Sequence, residues 1–524
     1  MEYRNVRLNL SLALPRLAQT LACALLLPTL AGLGQDPAPV PLPAAPAPVV
    51  AVPPSAGLQV SLREAILLAL ENNRALAVER LTPDITRTRE SIEQAVFDPV
   101  AGAALSSGRQ HAEGWAGADN WRHTVTDQIG LSAFVRQTSE RGTTVRLSAD
   151  TEFVDVSSSE RISSTGPRIS VTQALLQGAS VAANLARIRQ ARINTAASEF
   201  EVRGAVEAVA ANVEEVYWDF ALAERRIEIF TESLKVAEQY LRETRDRIAA
   251  GAVAEIEVAA AEAEIPLRRQ GLITATGVLE MNRLRLLNLL NPRGEGFWDL
   301  PVTLSDRPAA PQLQLEPVAA HVAVALKRRP ELGQARLQVD FQELELVQTR
   351  NGLLPRLDAF ITLGKTGYAR SFPQSLTNLD RHSYDVSTGL SFEYPIGNRA
   401  ATARQRQAVL SREQAEAALA NLAQLIELEV RIAYVEVKSA SEQVVASAAT
   451  RRLRGETLRA ESEKSRVGKS TSFLVAQAQR DLLASQIAEV EAVVLQLRSM
   501  TTLFSLESSL LERRGITLGE PPTP

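Results

Sequence analysis

Cysteine is nearly missing from this chain, with Cys23 the only one in 524 residues. A lone thiol excludes a disulfide framework. Histidine is almost as scarce, and His111, His123, His321 and His382 stand far apart, in no metal-ligand spacing. Positive charge is not in excess, since the net charge is −4. No basic face therefore asks for nucleic acid. Aromatic residues make up 5% of the chain, while Ala, Leu, Glu, Gln and Arg abound, a composition suited to long helices and coiled coils. Catalytic signatures are lacking as well. There is no H-E-x-x-H, no G-x-S-x-G, no Gly-rich dinucleotide loop and no paired Cys, so neither an enzyme nor a cofactor is expected. The acidic pair Glu214-Glu215 falls in the middle of a helix and reads as solvated rather than catalytic. Gly468-Lys469-Ser470-Thr471 resembles the end of a phosphate-binding loop, but the motif needs a glycine five residues earlier and that position is Glu463. A carboxylate there repels the anion. Gly468 reads instead as a helix break.

Long apolar runs are confined to the beginning. Arg4, Arg7 and Arg16 precede an apolar stretch from Leu17 to Leu33, and Ala31, Gly32 and Gly34 offer a cleavage site. Residues 1–34 read as an export signal. A membrane anchor is the other reading, and Cys23 after Leu-Ala leaves lipidation open. Residues 35–57 are Pro- and Ala-rich and read as an extended linker. No later segment holds 18 consecutive apolar residues, so no transmembrane helix is expected after the leader. An exported chain of this kind spans a membrane only as a β-barrel.

The remainder is a duplication. "AILLALENNRAL" at 65–76 resembles "HVAVALKRRPEL" at 321–332, an offset of 256 that pairs Ala69 with Ala325 and Pro99 with Pro355. Further on the offset falls to 217, pairing Tyr217 with Tyr434 and Gly251 with Gly468. The first half thus carries 39 extra residues between Pro99 and Ala191, about the size of one β-hairpin with its loops. Each repeat reads as helix, strands, very long helix, Gly, helix. The first spans 58–290, with strands at about 98–177 and a helical hairpin at 181–290. The second spans 317–513, with strands at about 354–396 and a hairpin at 399–513. The Pro- and Gly-rich segment 291–316 lies between them and is expected to bulge out at mid-height. A tail, 514–524, follows.

Val206, Val213, Phe220, Ile227, Leu234, Leu241 and Ile248 recur every seven residues, which predicts coiled-coil packing. The matching row in the second repeat is less regular and is interrupted by Arg451 and Ser465. Residues 181–250 as one helix reach roughly 105 Å, the combined length of the shorter legs 255–290 and 317–350. One continuous helix can therefore lie beside two helices stacked end to end. The strand regions alternate with period two. Val386, Thr388, Leu390, Phe392 and Tyr394 take one face of their strand. Val125, Ile129, Leu131, Ala133 and Val135, then Val145, Leu147 and Ala149, then Ile169 and Val171, do the same in the first half. The segments near 125–135 and 143–153 are long enough to cross an outer membrane when tilted.

In this order the residues resemble the TolC family of trimeric outer-membrane efflux ducts, over about 58–515. The carriers are the two "L-x-x-A-x-x-x-A-L-x-x-N/R" starts, the strand exits "ISVTQALLQG" and "LSFEYPIGN", and the turns "RIAAGAVAEIEVAAAEAE" and "KSRVGKSTSFLVAQAQRDL". The resemblance implies a mainly α fold with a membrane β-barrel. Three copies pool strands into one outer-membrane barrel, and their helices form a periplasmic α-barrel tunnel. The family commonly uses four strands per copy, and the extra 39 residues add either a hairpin to the barrel or a surface ornament. The resemblance further implies passive export of drugs, metals, small molecules or peptides, in an efflux or type I secretion system. The implied partners are a homotrimer, a periplasmic adaptor, an inner-membrane pump and outer-membrane lipid. A periplasmic adaptor subunit and a non-transporting structural coiled coil are the alternative readings.

By the same resemblance, Gly251 and Gly468 lie at the periplasmic tip where adaptors dock and the tunnel closes. Arg247 and Lys464, four residues before each Gly, are placed to bond helix-terminal carbonyls or a neighbouring acid. The family's best-studied duct carries Asp six and nine residues after the second-repeat Gly, which form acidic rings. Those positions here are Leu474 and Gln477, and the first-repeat counterparts are Glu257 and Ala260. Glu257 is thus the one acidic candidate for a constriction, and Phe473 or Leu474 is expected to narrow the tip. Tyr217 and Tyr434, at equivalent heights, are expected to pack between helices, with tunnel lining the other reading.

Overall fold

A computed structural model describes residues 57–115, 121–157, 160–251, 254–294, 296–311 and 315–517. The leader and most of the linker fall outside the described residues. The chain begins with strand β1 (Leu58–Val60) and helices α1 (Leu62–Asn72), α2 (Arg74–Glu79) and α3 (Thr82–Gln94). Ser61 starts α1 with a capping box: its hydroxyl accepts from the Glu64 amide, and the Glu64 carboxylate accepts from the Ser61 amide. Two of the orphan donors at the helix start are satisfied in this way. Strands β2 (Val100–Trp115), β3 (Trp121–Thr138), β4 (Thr143–Val156) and β5 (Ile162–Ala174) follow. Next come α4 (Val181–Asn184), the long helix α5 (Ala186–Ala249), α6 (Glu257–Leu290) and the short strand β6 (Val302–Leu304). The second repeat holds α7 (Val318–Arg328), α8 (Pro330–Gly352), β7 (Arg356–Lys365), β8 (Gly367–Ala369), α9 (Phe372–Thr377) and β9 (Tyr384–Glu393). It ends with α10 (Arg399–Arg466), α11 (Ser472–Leu506) and α12 (Leu510–Arg513). No helix among the described residues is long and apolar enough to cross a membrane.

Heptad rows give α5 its length, 64 residues or about 96 Å. Its upper part packs against α3 and α8, its lower part against α6 and α11. Two shorter helices thus share one long neighbour. The second repeat does likewise, with α10 against α7 and α8 above and α11 below. Ala69 and Ala325, paired by the repeat, are both fully buried. The main core gathers at the junction of the two repeats, where Tyr217, Phe220, Leu286, Leu287, Ile426 and Leu503 are almost wholly enclosed. The interrepeat segment does more than bulge outward: β6 pairs in parallel with β1, and Val302 enters the core. Tyr217 donates to the Asp306 carboxylate at 2.9 Å in the same segment, and burial pushes its phenol pKa up. Tyr217 is therefore a packing residue. Tyr434 is half-buried, with its ring 5.7 Å from that of His321.

Glu214 corrects the sequence reading. Its side chain is fully buried rather than solvated, accepts from the Thr501 hydroxyl at 2.7 Å and pairs with Arg514. The start of the expected tail is therefore anchored, and Ile516 is buried beside it.

The sheet runs β2-β3-β4-β5-β7-β9, antiparallel throughout, so strands of both repeats join at β5–β7. The alternation read from the sequence names no strand between 100 and 115. Strand β2 is built of Ala, Gly and Ser, poor β formers, and its place comes from pairing with β3 along its whole length. One row of paired residues, Ala101, Val135, Leu147, Ile169, Leu363 and Val386, crosses all six strands and is apolar throughout. The adjacent row on the opposite face, Gly102, Phe134, Ser148, Arg168, Gly364 and Asp385, is largely polar or side-chain-free. In this one copy the large apolar side chains of the first face are open to solvent.

Where β7 breaks and resumes as β8, both segments pair with β5, and Gly166 lies against the break. A Cβ there would stand 1.9 Å from the Lys365 carbonyl oxygen, a backbone atom that cannot swing aside. Gly166→Val is expected to abolish strand pairing at this point. The yield of folded protein should fall several-fold while synthesis of the chain continues. An unchanged yield of folded protein would refute the close approach at Gly166.

Candidate functional site

Gly251 and Gly468 stand two residues past the ends of α5 and α10, with φ of +72° and +73°. Only glycine takes this left-handed conformation without strain. At the second turn the Gly468 amide donates to the Ser465 carbonyl and the Lys469 amide to the Lys464 carbonyl. The pattern closes the helix as a Schellman motif. Ser472 then begins α11, with the Thr471 hydroxyl accepting from the Leu474 amide.

The two turns are tied together. Arg247, in the last turn of α5, donates through Nη2 to the Ser465 carbonyl at 2.9 Å. A cation thus sits on the negative end of α10. Glu257, the first residue of α6, accepts from the Ser472 amide at 3.0 Å, which puts an anion on the positive end of α11. The bonds from Ser472 are the main cause that holds the Glu257 carboxyl below its ordinary pKa, and Arg247 nearby adds to it. Both ties cross between repeats, and both run one way. The counterpart of Arg247 is Lys464, which pairs with Glu461 at 2.7 Å on its own helix. The counterpart of Glu257 is Leu474, which has no carboxylate to offer.

Of the sequence-selected residues, Gly251, Gly468, Arg247 and Glu257 therefore come together, while Lys464 stays on its own helix. Phe473, Leu474 and Gln477 share one exposed face of the first turns of α11, and Ser472, Val475 and Ala476 take the buried face. The Arg480 guanidinium stands 6.0 Å from the Phe473 ring. Three residues escaped the sequence reading: Ser465, Ser472 and Ser470, whose hydroxyl donates to Glu461 at 2.7 Å. Ser465 left a trace, because it interrupts an apolar row and is buried. Ser472 left none, since a serine at the start of a helix reads as an ordinary helix beginning. The site has the parts of a mechanical latch, with ion–dipole ties, glycine turns and an exposed apolar pair.

The comparisons with known proteins follow this architecture. A family described as outer membrane efflux protein matches residues 65–292 and 322–506. No curated protein matches by sequence. Among solved structures, the Campylobacter jejuni CmeC outer membrane channel aligns with a TM-score of 0.62 at 16% identity, covering 86% of this chain and 86% of that one. The outer membrane protein VceC from Vibrio cholerae aligns at 0.61 and 16% identity, covering 87% and 96%. The Neisseria gonorrhoeae MtrE outer membrane channel aligns at 0.59 and 17% identity, covering 86% and 89%. At such identities these likenesses speak for the fold, and the family match covers most of the chain. The chain belongs to the outer membrane efflux protein family, and it is an outer-membrane protein that extends into the periplasm.

Proposed function

We propose that this protein is the homotrimeric outer-membrane duct of a tripartite efflux or type I secretion assembly. It conducts small molecules or peptides passively, without bond chemistry. A periplasmic adaptor docks at the Gly251 and Gly468 turns, and an inner-membrane pump supplies the energy.

The observation that carries this reading is a pair of matching open edges. In the sheet, among the described residues, β2 and β9 each lack a partner on one side. In the helical layer, α3 lies at one edge with Leu81, Ile85 and Ile92 exposed, and α10 at the other with Leu425, Leu428, Ile432 and Val435 exposed. The heptad-like spacing of both stripes is that of helices made to meet helices. An open strand edge in lipid leaves backbone groups unpaired at several kcal/mol each. Joining copies edge to edge in both layers at once removes both costs. An adaptor or a plain coiled coil has no use for a sheet with one apolar and one polar face.

In planar bilayers the purified protein is expected to give discrete conductance steps, and it should co-purify with a periplasmic adaptor. A monomer without conductance would refute the duct. The latch is tested in the same assay. Removing both ties with Arg247→Ala and Glu257→Ala should raise basal conductance several-fold. Leu474→Gly should raise it too if Phe473 and Leu474 narrow the tip, and unchanged steps would exclude each role separately.

A further inference from the structure

The strands of the β2–β3 hairpin are the longest of the sheet: 16 and 18 residues, against 14 and 13 in β4 and β5 and 10 in β7 and β9. Its two faces continue those of the other four strands. Leu105, Ile129, Leu131 and Val135 are exposed on the apolar side, with Val135 in register with Leu147 of β4 and Ile129 with Phe153. Higher on that same side the character changes. Arg109 pairs with Asp127 at 2.6 Å and His123 with Glu113 at 3.2 Å. On the opposite side β2 presents Gly102, Ala104, Ser106, Gly108, Gln110 and Ala112, all small but one. An ornament outside a barrel would have no reason to carry an apolar band on the same face as its neighbours, end it in ion pairs, and keep its other face small on β2 and mostly polar on β3, where Thr124, Thr126, Gln128, Ser132 and Arg136 lie. A wall strand has each reason: lipid below, headgroups and water above, and a lumen behind.

We infer that the β2–β3 hairpin is part of the barrel wall, so that the closed trimer has six strands from each copy, eighteen in all, around a wide water-filled lumen. This inference rests on the trimeric reading above. Strand direction permits the closure. Along the sheet, strands alternate in direction from β2 to β9, so β9 of one copy meets β2 of the next antiparallel. With about 4.8 Å per strand and a tilt of about 40°, eighteen strands enclose a backbone diameter of about 36 Å, against about 24 Å for twelve. The lumen cross-section is then roughly twice that of a wall built from β4, β5, β7 and β9 alone. The outer-membrane section is therefore no size filter. Selection falls to the periplasmic tip, and the barrel passes cargo bulkier than a single extended peptide.

Cross-linking tests the closure. In a Cys23→Ser background, cysteine pairs join Ala101, Ala103 or Leu105 of β2 with Val386, Thr388 or Leu390 of β9. Cross-strand neighbours reach disulfide distance, so oxidation should yield linked dimers and trimers for at least one pair. Pairs joining Leu147 of β4 to the same β9 positions should stay unlinked. Links from β4 with β2 silent would place the hairpin outside the wall and overturn the inference. The mass of the detergent-extracted particle separates the two levels of the argument. Three copies with silent β2 pairs overturns the wall alone, whereas a single copy overturns the trimer and the wall together. Should the substituted chains fail to insert, a strand count in an electron-microscopy map of the unsubstituted protein decides, eighteen supporting the inference and twelve overturning it.

Discussion

Replacing Glu214 with alanine is expected to destabilise the protein by about 3–5 kcal/mol, as breaking a buried ion pair does. The carboxylate is fully enclosed and binds both Thr501 and Arg514. Without it, Arg514 keeps a charge that its partly covered position cannot fully hydrate, and Thr501 loses an acceptor. Arg514 also keeps part of its water, with a side chain 29% exposed, which places the effect toward the lower end of that range. The segment 510–516 should loosen with it, since this pair ties the chain end to α5. Urea denaturation followed by the helical circular dichroism signal measures the loss. A double-mutant cycle with Arg514→Ala isolates the pair itself. Independent, additive effects of the two substitutions would show that the pair carries no coupling.

One heptad before Glu214 stands Glu207, buried and, among the described residues, in no salt bridge, and here the expected result has the opposite sign. Burial pushes its carboxyl up to about 7 from an ordinary 4.5, while Arg203 and the Leu511 amide pull it back only in part. The folded protein therefore binds a proton at this site more readily than the unfolded chain. Between pH 4.5 and 7 the native state holds more protons, so stability falls as pH rises through that window. A difference of this size corresponds to about 3 kcal/mol of stability, fully present below pH 4.5 and fully lost above pH 7. Glu207→Gln is neutral at every pH. It should raise stability by up to about 3 kcal/mol at pH 8 and leave it nearly unchanged at pH 4.5. A mutant-to-wild-type difference that does not vary with pH would refute a buried, proton-binding Glu207.

These two glutamates show where sequence reading stops. Both sit in the same heptad frame of α5, beside the apolar row of Val206 and Val213, and nothing local separates them from Glu215 or any solvated acid. Their burial comes from α12 and the residues around it, about 300 positions away in the chain. Strand β2 is a similar case. Its composition argues against a strand, and only the partner β3 makes it one. The tip is a third. The glycines were visible because a helix break announces itself locally, but the Arg247–Ser465 and Glu257–Ser472 ties span 218 and 215 residues. Ser465 is a small polar residue in an apolar row, and Ser472 offers Glu257 its hydroxyl and its amide, groups that any serine at a helix start carries.

Taken alone, the sequence determined the duplication, the long helices, their glycine turns and the two-faced strands. Each of these is written in a local period, whether seven residues, two residues or one repeat offset, and the physics that reads it acts over a few turns or strand positions. The tertiary structure alone decided which carboxylates are buried, which way the ties at the tip run, and that the hairpin carried by the 39 extra residues joins the sheet. Those outcomes depend on what lies opposite each residue once both repeats are folded, and a neighbour hundreds of positions away leaves no period in the chain.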